Sequence, residues 1–237
     1  MALEQSYNGY VIKSQDLSEA DLLLTFFSQE SGKIRFVVKS AKKMSSRLSG
    51  RLQPNCLVKV TLAGSGGLAK VIGAEVLTTY PKILESQYAM HALLAMQELV
   101  QRSLADSQPN ELLFELYSES CNRLSQASDD EVTLVLTRFF VLALQVLGFT
   151  PQLLPTNPNT ETKSIFFSMQ DGLFSDEFTN NSNRKISLEA YQLFMDLNKN
   201  NEVPSEQAKH ASELLDLLAS FAGYQLEREL RAPAFFT

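Results

Sequence analysis

The pattern of apolar and polar positions changes about one third of the way along the chain. In the first 80 residues, apolar and polar side chains alternate over short runs, which is typical of strands that bury one face. From residue 83 onward, apolar side chains recur every three or four positions, the spacing of helices with one buried face. The sequence therefore predicts an α+β protein with two domains, a strand-rich domain over residues 1–80 and a mainly helical domain over residues 81–237.

The N-terminal domain contains five short runs with strand character, separated by turn residues. One of them places Lys33, Arg35 and Lys39 on one face and Ile34, Phe36 and Val38 on the other. Five strands within about 80 residues predict a small barrel or sandwich. The five runs are residues 7–14, 22–28, 33–39, 56–62 and 68–77.

The C-terminal domain carries clear helix boundaries. Ser128 and Glu131 form the Ser-x-x-Glu pattern of a capping box ahead of an apolar run, and Gly148 is placed to end that helix. Residues 150–163 are rich in Pro, Asn and Thr, which is typical of a loop. We expect residues 151–186 to form an insertion of loop with one small β-hairpin, from residues 164–168 and 172–174. The expected helices are residues 87–104, 109–124, 128–147, 187–199 and 205–228.

Charge divides the chain in the same place. Residues 1–80 hold ten Lys or Arg and six Asp or Glu, a net charge of +4, whereas residues 81–237 have a net charge of −10. Nineteen positions, from residue 33 to residue 51, contain seven basic residues and no acidic one. A concentrated positive stretch on an acidic protein favours binding of a polyanion such as nucleic acid over a merely solvated loop. The seven residues are Lys33, Arg35, Lys39, Lys42, Lys43, Arg47 and Arg51.

Aromatic side chains in the strands offer a second feature that nucleic acid uses. Tyr7, Tyr10 and Phe27 could stack with the bases of a single strand. Aromatic residues on strands such as these more often belong to the core, and the sequence favours that interpretation.

A single charged residue, Arg138, lies within the apolar run from Val132 to Leu147. Such a helix is expected to be buried, and a buried arginine needs a partner. On charge alone an internal ion pair is favoured. The alternative is a pocket with apolar walls from Phe139, Phe140 and Leu142, in which Arg138 binds the terminal carboxylate of a partner peptide.

Several functional classes lack support in the sequence. Two cysteines and two histidines lie too far apart for a zinc site, and no nucleophile and base stand in a recognisable catalytic pattern, so we expect a protein without cofactor, metal or enzymatic activity. Cys56 and Cys121 each lie in an apolar pattern, as buried free thiols do. The chain starts without a signal-peptide pattern and has no apolar run long enough to span a membrane, which predicts a cytoplasmic protein.

A series of motifs, in order and spacing, resembles the bacterial recombination mediator RecO family of DNA repair proteins. The resemblance is strongest over residues 8–153, and no single motif is diagnostic. The matching segments are YVIKS at 10–14, DLLLTFFSQESGK at 21–33, VKSAKK at 38–43, LQP at 52–54, LLFELY at 112–117 and RFFVLALQVLGFTP at 138–151.

The resemblance implies an N-terminal OB-fold barrel followed by a helical domain. It implies binding of single- and double-stranded DNA, annealing of complementary strands and help for RecA in loading onto DNA coated by single-strand-binding protein. The implied partners are RecR, RecF in some species, RecA indirectly, and the acidic C-terminal tail of single-strand-binding protein, which ends in an apolar residue. The expected binding of that tail favours the pocket interpretation of Arg138. The role of the family in DNA repair implies association with the nucleoid during repair.

Three departures from the family pattern are visible. One is a weak basic stretch near the C-terminus, where Arg228 and Arg231 lie among Glu227 and Glu229. Ser40 stands where the family has a glycine, at the entry to the basic loop, and residues 151–186 lack the four cysteines that bind zinc in some members. We therefore predict no zinc finger. The alternative from another functional class is a protein-interaction adaptor whose basic loop binds an acidic partner, with DNA binding incidental.

Overall fold

Five strands near the N-terminus close into a barrel in a computed structural model, which describes residues 3–43, 48–64, 68–153, 165–176 and 183–236. The strand order around the barrel is β1-β2-β3-β5-β4, with β4 returning to β1. All neighbours are antiparallel except β3 and β5, which pair in parallel through Phe36 and Val37. The strands are β1 (Leu3–Asp16), β2 (Leu22–Ser28), β3 (Gly32–Val38), β4 (Cys56–Gly64) and β5 (Ala69–Thr79).

The long first strand closes the barrel because it pairs with two neighbours. Residues 3–10 pair with β4 and residues 9–16 pair with β2. A register shift between Val11 and Lys13 interrupts the pairing with β2, and such irregularities bend a strand and increase its twist. One strand can therefore follow the curvature of the barrel.

The barrel interior is filled by the apolar side of each alternating strand. Phe36 and Val38 point into it, as the alternation along β3 predicts, and Phe26 packs against Phe36 with ring centroids 5.4 Å apart. The core residues from β4 are the four predicted ones, Cys56, Val58, Val60 and Leu62.

Two helical segments pack on the outside of this barrel and form one compact unit with it, comprising Met1–Gln87 and Gln97–Ser125. The second half of α2 (Gln87–Ser103) and α3 (Glu111–Leu124) belong to this first unit, as does the short α1 (Lys82–Glu85). Tyr10 and Phe27 are fully buried against α3, where the Tyr10 ring centroid lies 4.9 Å from that of Tyr117. The two rings are thus part of the packing, as the sequence favoured, and are closed to base stacking.

The turn between β2 and β3 is pressed against the segment that joins α2 to α3. Gly32 has φ +66°, and a Cβ atom there would lie 1.9 Å from the carbonyl oxygen of Gln108. Ser107 donates its backbone N–H to the carbonyl of Lys33 at 2.8 Å. Glycine is required here by the backbone conformation and by the close approach together.

The second compact unit comprises Tyr88–Met96 and Gln126–Thr237. Its central helix α4 begins with the predicted capping box of Ser128 and Glu131, and Gly148 follows its end with φ +82°. The C-terminal helix is preceded by a 3-10 segment, Ser205–His210, so the predicted single helix is divided. The helices are α4 (Asp129–Val146), α5 (Leu188–Asn198) and α6 (Ala211–Gln225), followed by a 3-10 turn at Ala232–Phe235.

A small three-stranded sheet of order β7-β6-β8 completes the second unit. The predicted hairpin pairs β6 (Ile165–Ser168) with β7 (Leu173–Ser175), and the sequence missed the third strand, β8 (Asn183–Ile186). Phe167 and Phe174 from the hairpin enter an aromatic cluster with Tyr191, Phe194 and Phe221. The architecture is α+β, as predicted, with an OB-type barrel first and a helical part with a small hairpin after it.

Candidate nucleic-acid interface

Lys33, the first basic residue of the charged stretch, makes hydrogen bonds within the fold. Its ammonium donates hydrogen bonds to the carbonyl oxygens of Gln101, at 3.0 Å, and Leu104, at 2.6 Å. Both carbonyls lie at the C-terminal end of α2, where the helix leaves its last carbonyls without partners and carries partial negative charge. The side chain is only 15% exposed, so Lys33 caps a helix.

Arg35 lies two residues along the same face and meets Asp106. Its Nη2 atom is 2.5 Å from Oδ2 of that carboxylate, and Lys33 is 3.4 Å from the other oxygen. Partial desolvation opposes ionisation of Asp106, but the hydrogen bonds and charges of Arg35 and Lys33 outweigh it and lower its pKa. The predicted basic face of β3 is therefore partly neutralised by a residue 71 positions away.

Lys39, at the end of β3, is paired with Asp21. Its Nζ lies 2.5 Å from Oδ2, while Oδ1 of the same carboxylate accepts the backbone N–H of Ser40 at 2.8 Å. The Lys39 hydrogen bond, followed by that from Ser40, lowers the pKa of Asp21. Lys39 itself stays 56% exposed, so its ammonium remains accessible to a second anion.

The loop beyond β3 presents Lys42 and Lys43 beside the turn that joins β1 to β2. Lys42 reaches Asp16 at 2.8 Å and the carbonyl oxygen of Ser18 at 3.3 Å, and its backbone N–H donates to Ala20. Lys43 is exposed, and its side chain has no ion pair among the residues that the structure describes. Lys39, Lys42 and Lys43 together form what we term the barrel-end basic cluster.

Arg51 and Arg47, the remaining two basic residues, are not part of this cluster as the structure describes it. Arg51 donates to the carbonyl oxygen of Ala74 on β5 at 2.8 Å, which ties the end of the loop to the barrel. Arg47 falls outside the described residues. The structure thus brings three of the seven predicted residues together at one end of the barrel and gives Lys33 and Arg51 internal bonds.

Three carboxylates that the sequence argument overlooked control this charge: Asp16, Asp21 and Asp106. A signal for one of them was present, because β2 and β3 pair with Leu22 opposite Val38. Continuing that antiparallel register by one step places Asp21 opposite Lys39. The other two pairings depend on tertiary contacts that local pattern does not encode.

Arg138 in the second unit binds the chain itself. Its Nη1 donates to the carbonyl oxygen of Asn201 at 2.9 Å and its Nη2 to Oδ1 of Asn200 at 2.5 Å, with Glu202 Oε1 3.9 Å away. Asn200 has φ +59° and follows the end of α5. Arg138 therefore holds the backbone that leaves this helix, with the carboxylate of Glu202 at the limit of an ion pair.

The predicted pocket walls around Arg138 differ from one another in exposure. Phe139 and Phe140 are fully buried in the second unit, whereas Leu142 is partly exposed and lies one helical turn from Arg138 on the same face. Two open grooves of about 460 and 370 Å³ lie elsewhere in this unit, one along α6 and one between α5 and the 3-10 segment, and their linings do not include Arg138.

The described part of the chain contains no group of three or more His, Cys, Asp or Glu side chains placed to hold a metal ion. Within the same residues, no helix combines the length and apolarity needed to cross a membrane. Cys56 and Cys121 are both buried and unpaired, as their apolar surroundings predicted.

Comparison with known proteins assigns the family. The model of the recombination protein O N-terminal region matches residues 1–80, and that of its C-terminal region matches residues 85–234. The chain belongs to the RecO family. Membership supports a role in DNA repair as a recombination mediator, and the N-terminal family match coincides with the five-stranded barrel.

Three of the curated relatives match between 70% and 96% of the chain. A DNA repair protein RecO from Desulforamulus reducens is 27% identical over 240 residues, which covers 96% of this chain and 92% of the relative. RecO proteins from an Exiguobacterium species and from Bacillus subtilis are 29% and 30% identical and cover 72% and 70% of this chain, with 68% and 61% of their own lengths matched. A solved asparaginyl-tRNA synthetase from Entamoeba histolytica aligns with a TM-score of 0.28 at 9% identity, over 69% of this chain and 37% of its own, which is too low to indicate a shared fold.

Ser40, where the resemblance leads us to expect glycine, has an unusual backbone conformation. Ser40 has φ +53°, in the left-handed region that glycine adopts without strain. Its N–H is held by Asp21, and its carbonyl accepts from the N–H of Lys43 at 3.1 Å. The entry turn of the basic loop therefore keeps the conformation suited to glycine, although serine occupies it.

Proposed function

We propose that this protein is a non-enzymatic mediator that binds DNA through the barrel-end basic cluster, anneals complementary strands and helps RecA load onto DNA coated by single-strand-binding protein. One observation carries the DNA contact. Lys39, Lys42 and Lys43 emerge together at the end of an OB-type barrel, beside the β1–β2 turn. OB folds commonly use the loop between their first two strands to contact nucleic acid.

The physical basis of binding is exchange of counterions. Lysines that meet phosphates release the ions condensed on the strand, and the free energy gained falls as salt rises. Pairing with carboxylates leaves Lys39 56% and Lys42 32% exposed, so both ammonium groups can reach a phosphate. Arg35 is 53% exposed while paired with Asp106, so it offers a further accessible cation. Annealing then follows, because two strands held against one cationic surface repel each other less.

The test is the salt dependence of binding to labelled single-stranded DNA. Because each phosphate contact to a single strand contributes about 0.7 to the slope of log K against log salt, we expect Lys42→Ala with Lys43→Ala to reduce the slope by about 1.4. The matched control is Lys59→Ala with Lys82→Ala, which removes two exposed lysines elsewhere in the first unit. Wild-type affinity indifferent to salt, or equal slopes for the two double variants, would refute the proposal.

Strand annealing supplies the functional readout. Two complementary oligonucleotides, labelled as a fluorescence-transfer pair, report duplex formation with and without single-strand-binding protein. We expect the Lys42→Ala, Lys43→Ala protein to anneal more slowly in both settings than the control variant. Loss of annealing only on coated DNA would place the defect in partner recognition rather than in the DNA surface.

For the tail of single-strand-binding protein, the proposal centres on Arg138. What supports it is the approach of the guanidinium to Glu202, a side chain 74% exposed, at 3.9 Å. A terminal carboxylate could compete with this exposed group for the guanidinium, with Leu142 as the apolar neighbour one turn away. Phe139 and Phe140 would act from beneath, by fixing the helix that carries Arg138.

The tail proposal is tested with a peptide that ends in acidic residues and an apolar C-terminus. We expect Glu202→Gln to tighten binding, because it removes the competing carboxylate, and Arg138→Lys to weaken it, because the planar fork is lost. The same peptide with an amidated C-terminus controls for the carboxylate. Equal peptide affinities for wild type and both variants would refute the tail proposal and show that Arg138 has a structural role only.

Further partners and location belong to the same proposal. Family membership is the support for an interaction with RecR, for RecF as a partner in some species, for RecA as an indirect partner, and for a cytoplasmic location at the nucleoid. Co-purification of RecR with the full chain, in the presence and absence of DNA, tests the first of these.

A further inference from the structure

Lys42 is held in place by oxygen atoms of the turn that follows β1. Its Nζ lies 2.8 Å from Oδ2 of Asp16 and 3.3 Å from the carbonyl oxygen of Ser18. The backbone N–H of Lys42 also donates to the carbonyl of Ala20 at 3.1 Å. The ammonium of Lys42, the central residue of the barrel-end basic cluster, is therefore already paired with a carboxylate of the same chain.

The two acidic residues that pair with this cluster are bound in different ways. Asp21 is only 13% exposed, and its second oxygen holds the backbone N–H of Ser40, so it stabilises the loop as well as neutralising Lys39. Asp16 is 76% exposed, and its side chain makes one ion pair among the described residues, that with Lys42. Asp21 thus acts as part of the loop's structure, whereas Asp16 acts only as a counter-charge.

A phosphate that approaches Lys42 has to displace the Asp16 carboxylate from the same ammonium. Exposed ion pairs contribute little to stability, typically about 0.2–1 kcal/mol, so displacement is easy but lowers affinity. We propose that Asp16 sets the affinity of the barrel-end basic cluster for nucleic-acid phosphates by competing with them for Lys42. This inference rests on the proposed DNA binding and adds an internal competitor that keeps binding weak enough to be reversible.

The chain offers a matched control in the same turn. Glu19 is exposed and forms no ion pair among the described residues. Glu19→Gln removes one negative charge near the cluster without freeing Lys42, whereas Asp16→Asn removes one and frees it. Both changes affect the general electrostatic field similarly, so their difference isolates the competition for Lys42.

The experiment measures binding of labelled oligothymidylate of about 20 nucleotides, longer than the ~4–16 that one OB fold covers, at about 50–200 mM salt. The proteins are wild type, Asp16→Asn, Glu19→Gln, Lys42→Gln and Asp16→Asn with Lys42→Gln, each checked by thermal melting. We expect Asp16→Asn to bind about two- to fivefold more tightly than Glu19→Gln, the range that an exposed ion pair supplies. In the Lys42→Gln background the gain from Asp16→Asn should disappear.

The outcomes separate this inference from the function on which it rests. If Lys42→Gln weakens binding but Asp16→Asn and Glu19→Gln behave alike, DNA binding stands and the competition is refuted. If the gain from Asp16→Asn persists in the Lys42→Gln background, Asp16 acts through the general field, and the inference is again wrong. If wild type shows no salt-dependent binding at all, both fall.

Discussion

Replacing Lys33 with methionine separates the two roles that its position suggests. The sequence places Lys33 among the DNA-binding residues, while the structure uses its ammonium to cap the last turn of α2. Methionine keeps a long apolar stem to pack in the same space but removes all three donors. The carbonyls of Gln101 and Leu104 would then lose their charged partner.

The expected cost follows from these contacts. A hydrogen bond to a charged group contributes about 1.5–3 kcal/mol net. A cation at a helix C-terminus adds about 0.3–1 kcal/mol, and the ion pair with half-exposed Asp106 adds at most about 1 kcal/mol. One ammonium supplies all of these, so they overlap, and we expect the free energy of unfolding of the first unit to fall by about 2–4 kcal/mol.

Urea unfolding followed by far-ultraviolet circular dichroism measures this change, since the chain has no tryptophan. Hydrogen exchange should locate it at the C-terminal turn of α2. Arg35→Met is the matched control: Arg35 is 53% exposed and contacts the same Asp106, so its loss should cost less than about 1 kcal/mol. Unchanged stability in Lys33→Met, together with a shallower salt slope for DNA, would show that Lys33 faces phosphate and would refute the capping role.

Three further predictions concern the same unit. Gly32→Ala should destabilise it by at least about 2 kcal/mol in urea unfolding, because the left-handed backbone alone costs about 1–2 kcal/mol and the new Cβ would meet the Gln108 carbonyl; a change below 0.5 kcal/mol would contradict the close packing of this turn. Ser40→Gly should raise stability by about 0.5–1 kcal/mol, since relief of strain at φ +53° exceeds the added entropy of the unfolded chain, and a loss of stability would show that Ser40 is unstrained. The pKa of Asp106 is lowered in the folded protein, so its contribution to the free energy of unfolding is fully present above the ordinary aspartate pKa of about 3.9 and is lost as pH falls below it. Unfolding measured between about pH 2 and 6 should therefore show a smaller loss of stability with acid in Asp106→Asn than in wild type. Identical pH profiles would contradict this.

Much of the fold follows from local pattern. The bounds of β2 are those that the run of apolar residues predicts, and the capping box at Ser128 marks the start of α4. Alternation along β3 and β4 assigned inward and outward faces correctly because a strand repeats every two residues. The strand β8 was missed because Asn183 to Ile186 is short and polar, and it becomes a strand only by pairing with β6.

The candidate site was only partly predictable. The basic residues were evident as a run of like charge, and the register of β2 against β3 could have located Asp21. The pairing of Asp106 with Arg35 could not be predicted from the sequence. A contact between residues 71 positions apart depends on where α2 and α3 pack against the barrel. For the same reason the helix end that Arg138 holds was invisible, since its acceptors lie 62 and 63 positions away.

The sequence by itself determined the alternation of strands, the helix boundaries, the excess of positive charge in the first 80 residues and the family resemblance, because each is written in neighbouring residues or in the order of motifs. Tertiary structure alone decided which positive charges remain available. Lys33 is turned into a helix cap, Arg35 and Lys42 meet distant carboxylates, and Lys43 stays exposed. The physical reason is that electrostatic interaction depends on distance in space, whereas sequence pattern reports only distance along the chain.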